Sequence, residues 1–563
     1  MGFTLYTYFM PKRLALVVLF VVAGFLRLAN LGYSDYQGDE IKALYNPKEA
    51  TSAQFFLEQR KGPMQFLITA GLKGISNEYH NRALARLPFA LAGLGSVLVF
   101  YYLAKSLFNQ KIALYATMFF ATNGFLIAFS RLVQYQSLVI FFGLLAVYFT
   151  KKYADSRKPP HPDAVPKYLV LAGISLATSI LSHYDGVFFV PIILGILFPL
   201  VQLSLREISF ARSTIATESL LRAKRSNPVL KHLIISTSIF LTLTCVFYIP
   251  FALNIAQSTT DYWAGRISGD VSGKISSSRY LFSVYQPIYV LHIYTILGII
   301  GFAFITLFTF SKIFSRLCCK LLAHVYKIDI FNGVHAPFSL SIPISVLAWF
   351  LIPFILLEVF IYIPGTHIYA YLIPVFLFMG FALFHADLIG SKVFTVIASL
   401  SPSLRGVQRR SNLVIIFGIW LLFAFLTLQS YYVFVDHKYE YPWENKKFLI
   451  WTLPKPTPIF HLSMFGFPYF RHWDNIGEYI KSDNKSQFYT TNERVSISRY
   501  HTDLEKAGEK VGYYIYIKNP QTFTNQVTNI RINAWMQGNP PIVQYKNQDR
   551  VVSEIYLVTS MVP

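Results

Sequence analysis

The sequence predicts an all-α polytopic membrane protein with about eleven transmembrane helices, followed by a C-terminal extracytoplasmic α/β domain. Two observations carry that class. Of 563 residues, 54% are hydrophobic and only 14% are charged, whereas a soluble domain carries about 25% charge. The apolar residues also fall into segments that can cross a bilayer, which takes about 20 residues each. A soluble globule, a disordered chain and a coiled coil are all disfavoured. Three cysteines (Cys245, Cys318 and Cys319) are too few for a disulfide framework.

In chain order the candidate spans are 14–31, 84–104, 112–129, 137–150, 168–182, 186–203, 233–255, 288–311, 340–362, 368–388 and 413–435. Alternating the gaps with Lys12-Arg13 inside puts 23 Lys and Arg on the inner side, including Lys105, Lys111 and the runs in 151–167 and 206–231. The opposite orientation would invert this bias in nearly every gap, so the N-terminus is expected to be cytoplasmic. The net charge of +22 is then mostly a cytoplasmic collar facing anionic lipid, and nucleic-acid binding loses its main support. The first span lacks a small-residue cleavage site and is expected to remain as an anchor.

An odd number of spans puts the C-terminus outside. The chain therefore divides into a transmembrane part, 1–435, and a soluble part, 436–563, where charges and turn formers appear. Within the tail, Trp473–Lys481 has helical periodicity. Gln487–Thr490, Gly512–Lys518, Ile542–Lys546 and Val551–Val558 alternate as strands do. The tail aromatics Trp473, Tyr513, Tyr514, Tyr516 and Trp535 are expected mainly in its core.

Ionisable groups near a bilayer need a reason, which directs attention to the outer gaps. The long first loop, about 32–82, carries Gly38-Asp39-Glu40 directly after the first span. A carboxylate there is placed to take a proton from an acceptor hydroxyl or amine; the alternative is a helix cap with a solvated acid. Glu58-Gln59-Arg60-Lys61-Gly62-Pro63 follows. Its two cations suit a phosphate, or serve as the basic flank of an interfacial helix, and Glu58 is either a second site acid or a partner of Arg60. Arg131 is the sole cation of the third gap, a phosphate ligand or a headgroup anchor. The fifth gap is the polar knot Ser182-His183-Tyr184-Asp185-Gly186, which either binds substrate or simply turns the chain. The seventh holds Tyr262-Trp263-Ala264-Gly265-Arg266, and the ninth runs from Tyr362 through His367 and Tyr369 to Pro374. Backbone irregularity at that depth is tolerated only beside protein or water. Arg27 and Glu358 sit at similar depth and could pair.

No HExxH, paired CxxC, EF-hand loop, P-loop or dinucleotide fingerprint occurs. No cofactor is expected to be required, nucleotide is an unsuitable donor, and a divalent metal has no support in the motifs.

Taken in order, these pieces resemble the GT-C glycosyltransferases that use polyprenyl-phosphate sugars, a group that includes protein O-mannosyltransferases and the bacterial aminoarabinose transferases of lipid A. The resemblance covers about residues 10–390. It rests on Gly38-Asp39-Glu40, Lys61-Gly62-Pro63-Met64, Arg82-Ala83-Leu84-Ala85-Arg86-Leu87-Pro88, Ser130-Arg131 and the segment His367 to Pro374. It implies a GT-C-like fold with Asp39 as catalytic base and Glu40 as its neighbour. Lys61 and Arg131, with Arg60 beside them, would hold the donor phosphate, and His367 and Tyr369 would lie near the lipid-phosphate pocket. His183, Asp185, Arg266 and Glu58 are weaker candidates for sugar or acceptor. Three positions depart from the pattern: Gln136 replaces an acid, Gly62 a first proline, and His367 an arginine of some relatives.

The expected activity is inverting transfer of a sugar from a polyprenyl phosphate, on the extracytoplasmic face, to a protein, lipid or cell-surface glycan. Partners are then the lipid-linked sugar, membrane lipid and the acceptor, with no nucleic acid. A lipid-linked glycan transporter or flippase would show acids or Gly/Pro breaks at mid-span, whereas here the polar groups sit at span ends. An oligosaccharide polymerase or ligase, and a non-catalytic receptor, are the other rivals.

Overall fold

The computed structural model describes residues 12–45, 62–156, 166–214, 228–269, 289, 292–326, 340–400, 405–438, 440, 447–448, 451–452, 465–506, 511–521 and 535–559. Every one of the eleven candidate segments falls on a helix. In order these are α1 (Lys12–Leu28), α4 (Arg82–Leu107), the pair α5 (Gln110–Thr122) and α6 (Gly124–Ser130), α7 (Gln136–Ser156), α8 (Pro166–Ser182), α9 (Val190–Thr214), α10 (Pro228–Leu253), α12 (His292–Tyr326), α13 (Ser341–Ile355), α14 (Tyr369–Leu400) and α15 (Arg405–Phe434). Among the described residues, eight are long and apolar enough to span, or nine if α5 and α6 are one broken span bent by 59°. The helices α1 and α8, at 17 residues each, are not among those eight. The chain is a multi-pass membrane protein.

The bend between α5 and α6 has a local cause. The Asn123 side chain accepts from the Phe125 and Leu126 amides, which starts a new helix where the old one would continue. A second break separates α13 from α14. There, a π turn (Leu356–Phe360) and a 3-10 turn (Gly365–Ile368) flank Pro364, so the ninth gap is irregular backbone. Arg27 is fully buried and donates to the carbonyls of Ala23 and Ala121, while Glu358 accepts from Tyr371.

Three short helices complete the loops: α2 (Gly38–Ile41), α3 (Met64–Ile75) and α11 (Gln257–Ser268). The first is a single turn of four residues.

The tail forms the small α/β domain that its patterning predicts. A five-stranded sheet has the order β4 (Glu505–Lys506), β3 (Phe488–Thr491), β5 (Gly512–Ile517), β7 (Arg550–Val558), β6 (Val543–Asn547). The strands β3, β4 and β5 run parallel and the β5–β7–β6 half is antiparallel. Helices α16 (Trp473–Asp483) and α17 (Val495–His501) accompany it, and a minimal hairpin, β1 (Lys447–Phe448) with β2 (Trp451–Thr452), precedes it. Trp473, Ile476, Tyr489, Tyr513, Ile515 and Ile555 build one buried core; Tyr514 is also buried, while Tyr516 and Trp535 are partly exposed. The domain is tied to the first outer loop. The Asp35 amide donates to the Tyr469 carbonyl at 3.0 Å, and the Asp35 carboxylate accepts from the Arg471 amide at 2.6 Å.

Candidate active site

The acids at the start of the first loop diverge. Glu40 is fully buried, and its two oxygens accept four hydrogen bonds: Arg86 Nε at 2.8 Å, Arg86 Nη2 at 2.9 Å, and the amides of Val133 and Gln37 at 2.9 Å each. Arg86 spends its other donors on the carbonyls of Leu31, Ser34 and Asp35. One residue along a helix turns the side chain by about 100°, so a buried Glu40 sends Asp39 the other way. The Asp39 side chain is 33% exposed, and its Oδ1 accepts from Arg494 Nη2 at 3.0 Å. Glu40, expected as a catalytic neighbour, therefore holds the loop and does not face the cavity.

Asp39 opens onto a cavity of about 500 Å³, within the range of small-molecule sites. Its lining comes from every gap that the charge bias puts outside: Asp39, Lys42 and Gln65 from the first, Gln134 to Gln136 from the third, His183 and Tyr184 from the fifth. Tyr262, Trp263 and Arg266 come from the seventh and Thr366 and His367 from the ninth, while the tail supplies Phe465 and Arg494.

Opposite the acid lies an ordered polar relay. Asp185 is buried, with its Oδ2 accepting from Tyr369 Oη at 2.8 Å and 2.6 Å from His367 Nδ1. A proton on Nδ1 satisfies that carboxylate and leaves Nε2 as an acceptor. Arg266 Nη1 lies 3.3 Å from this Nε2, and its Nε and Nη2 both donate to the Ile363 carbonyl. The guanidinium is thus fixed by backbone and histidine. The ring of His183 stacks on Tyr135 at 4.0 Å, with its Nδ1 3.1 Å from Asp185 Oδ1. His183, Asp185 and His367 are close enough to hold a metal ion. The neighbouring cation Arg266 and the hydrogen-bonded Asp185–His367 contact favour a relay that is complete as it stands.

Arg131 is placed elsewhere. Its guanidinium donates to the carbonyls of Leu26, Arg27, Ala29 and Asn30, closing the C-terminal end of α1, where helix carbonyls lack partners. It is buried and borders a separate small void with Asp35 and Arg86. Glu58, Arg60 and Lys61 lie outside the described residues. The adjoining Gly62 has φ +87°, and a Cβ there would collide with the Leu181 carbonyl oxygen. The proline that relatives carry could not adopt this φ.

The residues missed by sequence reasoning come from the tail. Arg494 lies 455 positions from Asp39, and no local spacing signals it. The carboxyl of the adjacent Glu493 is pushed up to about 7 by burial, although it accepts from the Arg494 and Gln521 amides. Burial also pushes Asp35 up, against the pull of Arg82 and the Arg471 amide.

Residues 56–264 match the family model described as dolichyl-phosphate-mannose-protein mannosyltransferase. No curated protein matches the chain. Similar solved structures include apo ArnT from Cupriavidus metallidurans, at 12% identity and TM-score 0.48, covering 96% of this chain and 97% of that one. The Archaeoglobus fulgidus oligosaccharyltransferase AglB, with an inhibitory peptide and a dolichol-phosphate, has 13% identity and TM-score 0.44, covering 91% and 61%. The S. cerevisiae protein O-mannosyltransferase complex bound to the sugar donor has 17% identity and TM-score 0.30, covering 47% and 38%. The family match spans the third and fifth gaps and reaches into the seventh, three of those that line the cavity, and over these residues the chain is similar to the dolichyl-phosphate-mannose-protein mannosyltransferases.

Proposed function

We propose that this chain moves a sugar from a polyprenyl phosphate to a hydroxyl or amine of an acceptor on the extracytoplasmic face, with Asp39 as the base. The supporting observation is that Asp39 and Arg266 line one cavity at the ends of the apolar helices. A lipid tail in the bilayer would keep the anomeric carbon at that level. Asp39 takes the acceptor proton as the new bond to the anomeric carbon forms. The bond from that carbon to the phosphate oxygen breaks, and polyprenyl phosphate leaves with the electron pair. Attack opposite the leaving group inverts the anomeric centre.

Charge grows on the leaving phosphate, and a fixed cation at that position lowers the barrier because it need not reorganise. Arg266, held by Ile363 and His367, suits that role. Lys61 remains a second candidate from the sequence alone. Trp263 and Tyr184, their rings 6.1 Å apart, offer aromatic faces to the sugar. The charge bias supports a cytoplasmic N-terminus and an extracytoplasmic tail.

The deciding assay supplies the purified chain in proteoliposomes with radiolabelled polyprenyl-phosphate sugars and candidate acceptors. Label should move to the acceptor with release of polyprenyl phosphate, and Asp39→Asn should stop it without changing thermal stability. Wild-type turnover in Asp39→Asn would remove the proposed base. Lipid flux without label transfer would favour the flippase.

A further inference from the structure

A second cavity, about 570 Å³ and more open, adjoins the first and shares Lys42 and Arg494 with it. Among the described residues its lining carries four cations, Lys42, Arg494, Arg499 and Lys506, and one acid, Glu493. That acid does not neutralise the groove. Its carboxyl is buried and turned into the domain, accepting from the amides of Arg494 and Gln521 and from Tyr469 Oη. Arg499 is exposed, and Lys506 is half-buried beside it. Arg494 has Asp39 as its counter-charge, whereas Arg499 and Lys506 interact as like charges on this opening, and an anion joining them relieves that repulsion. The Asp39 cavity has a different balance, with one carboxylate against its cations and a wall of aromatic rings.

From this we infer that the groove is an oxyanion site, which holds a phosphate or carboxylate carried by the acceptor while its hydroxyl or amine enters the Asp39 cavity. The inference rests on the transferase reading of that cavity. Arg494 joins the two spaces. Its Nη2 contacts Asp39 Oδ1 at 3.0 Å, and the same side chain lines the groove. An oxyanion that draws the guanidinium toward the groove competes with Asp39 for it. Arrival of the acceptor thereby frees the carboxylate at the moment it is needed as a base. Neutral acceptors would bind without that exchange.

The test uses the full chain in phosphatidylcholine nanodiscs at low ionic strength, with inorganic pyrophosphate as the probe and calorimetry as the readout. Wild type should bind, and the affinity should fall as salt rises. Arg499→Gln combined with Lys506→Gln should weaken binding roughly tenfold or more. Arg499→Gln alone, at an exposed position, should weaken it by a smaller factor without disturbing the fold. Equal affinity in wild type and both variants overturns the site. A second arm replaces part of the lipid with phosphatidylglycerol. Unchanged pyrophosphate affinity supports an acceptor group, whereas its loss assigns the groove to a lipid headgroup and overturns the acceptor assignment. Label transfer from the lipid-linked sugar is read separately: its absence in wild type defeats the transferase reading even where pyrophosphate binds.

Discussion

Two adjacent carboxylates with opposite surroundings permit a sharp test. In Glu40→Gln, one carboxylate oxygen becomes an amide NH₂. Each oxygen accepts two hydrogen bonds, from Arg86 and the Val133 amide on one side and from Arg86 and the Gln37 amide on the other. Whichever oxygen is replaced, two donors then face a donor. The Arg86 guanidinium, 1% exposed, also loses its counter-charge. Removing one partner of a buried ion pair costs about 3–5 kcal/mol. For a chain of this size that corresponds to a fall in melting temperature of roughly 5–10 °C, measured by thermal size-exclusion in detergent. Asp39→Asn exchanges a partly exposed ion pair with Arg494 for a hydrogen bond, worth about 1 kcal/mol or less. It should melt within about 2 °C of wild type and lose transfer. If Glu40→Gln melts with wild type while Asp39→Asn falls, the roles assigned to the two acids are reversed.

Replacing Gly62 by the proline of its relatives should destabilise by about 1–3 kcal/mol, since neither φ +87° nor the nearby Leu181 carbonyl can be accommodated; a melt equal to wild type would show that the turn has another solution. Asp185→Asn removes an acceptor from His367 and Tyr369 and should slow transfer roughly 100-fold by releasing Arg266, with unchanged turnover as the contrary result. For Glu493, the folded carboxyl titrates at about 7, against 4.5 unfolded. The unfolded chain therefore binds fewer protons between these values, and stability falls as pH rises from 4.5 to 7. Glu493→Gln should raise the melting temperature above pH 7, by an amount equivalent to about 3 kcal/mol, and the gain should vanish near pH 4.5. A gain independent of pH would place the cause elsewhere.

The helical spans were legible because long apolar segments and their alternation with polar gaps are properties of the chain. The outer gaps do meet around one cavity, although spacing alone left each of them ambiguous. Strand alternation likewise marked β3, β5, β6 and β7, while α17, with seven residues, was too short to give a period. The differences between the sequence reading and the structure have a common source. A lone outer cation reads as a ligand, yet Arg131 closes a helix end with carbonyls that carry no side-chain signature. The pair Asp39-Glu40 reads as one acidic motif, and only the burial of one decides which faces the cavity. Arg86 was visible in the arginine-rich entry to α4, four residues after Arg82. That spacing puts both on one helix face, where they meet Glu40 and Asp35.

Deleting the tail from Asp436 onward should abolish transfer, and the reason is not simply a lost binding module. Tyr33 Oη donates to Glu440 at 2.6 Å, Ser34 Oγ to the Phe467 carbonyl at 3.0 Å, and Asp35 exchanges hydrogen bonds with Tyr469 and Arg471. The segment that presents Asp39 thus lies against residues 467–471, and truncation releases it while also removing Arg494 from the cavity wall. Arg494→Met separates these effects, because it leaves the loop contacts intact and removes only the guanidinium. If the tail acts chiefly by holding the loop, Arg494→Met keeps the wild-type melting temperature and retains turnover with a neutral acceptor, while the truncated chain loses both. If Arg494→Met proves as inactive as the truncation with every acceptor, the loop contacts are dispensable and the guanidinium itself is required for the chemical step.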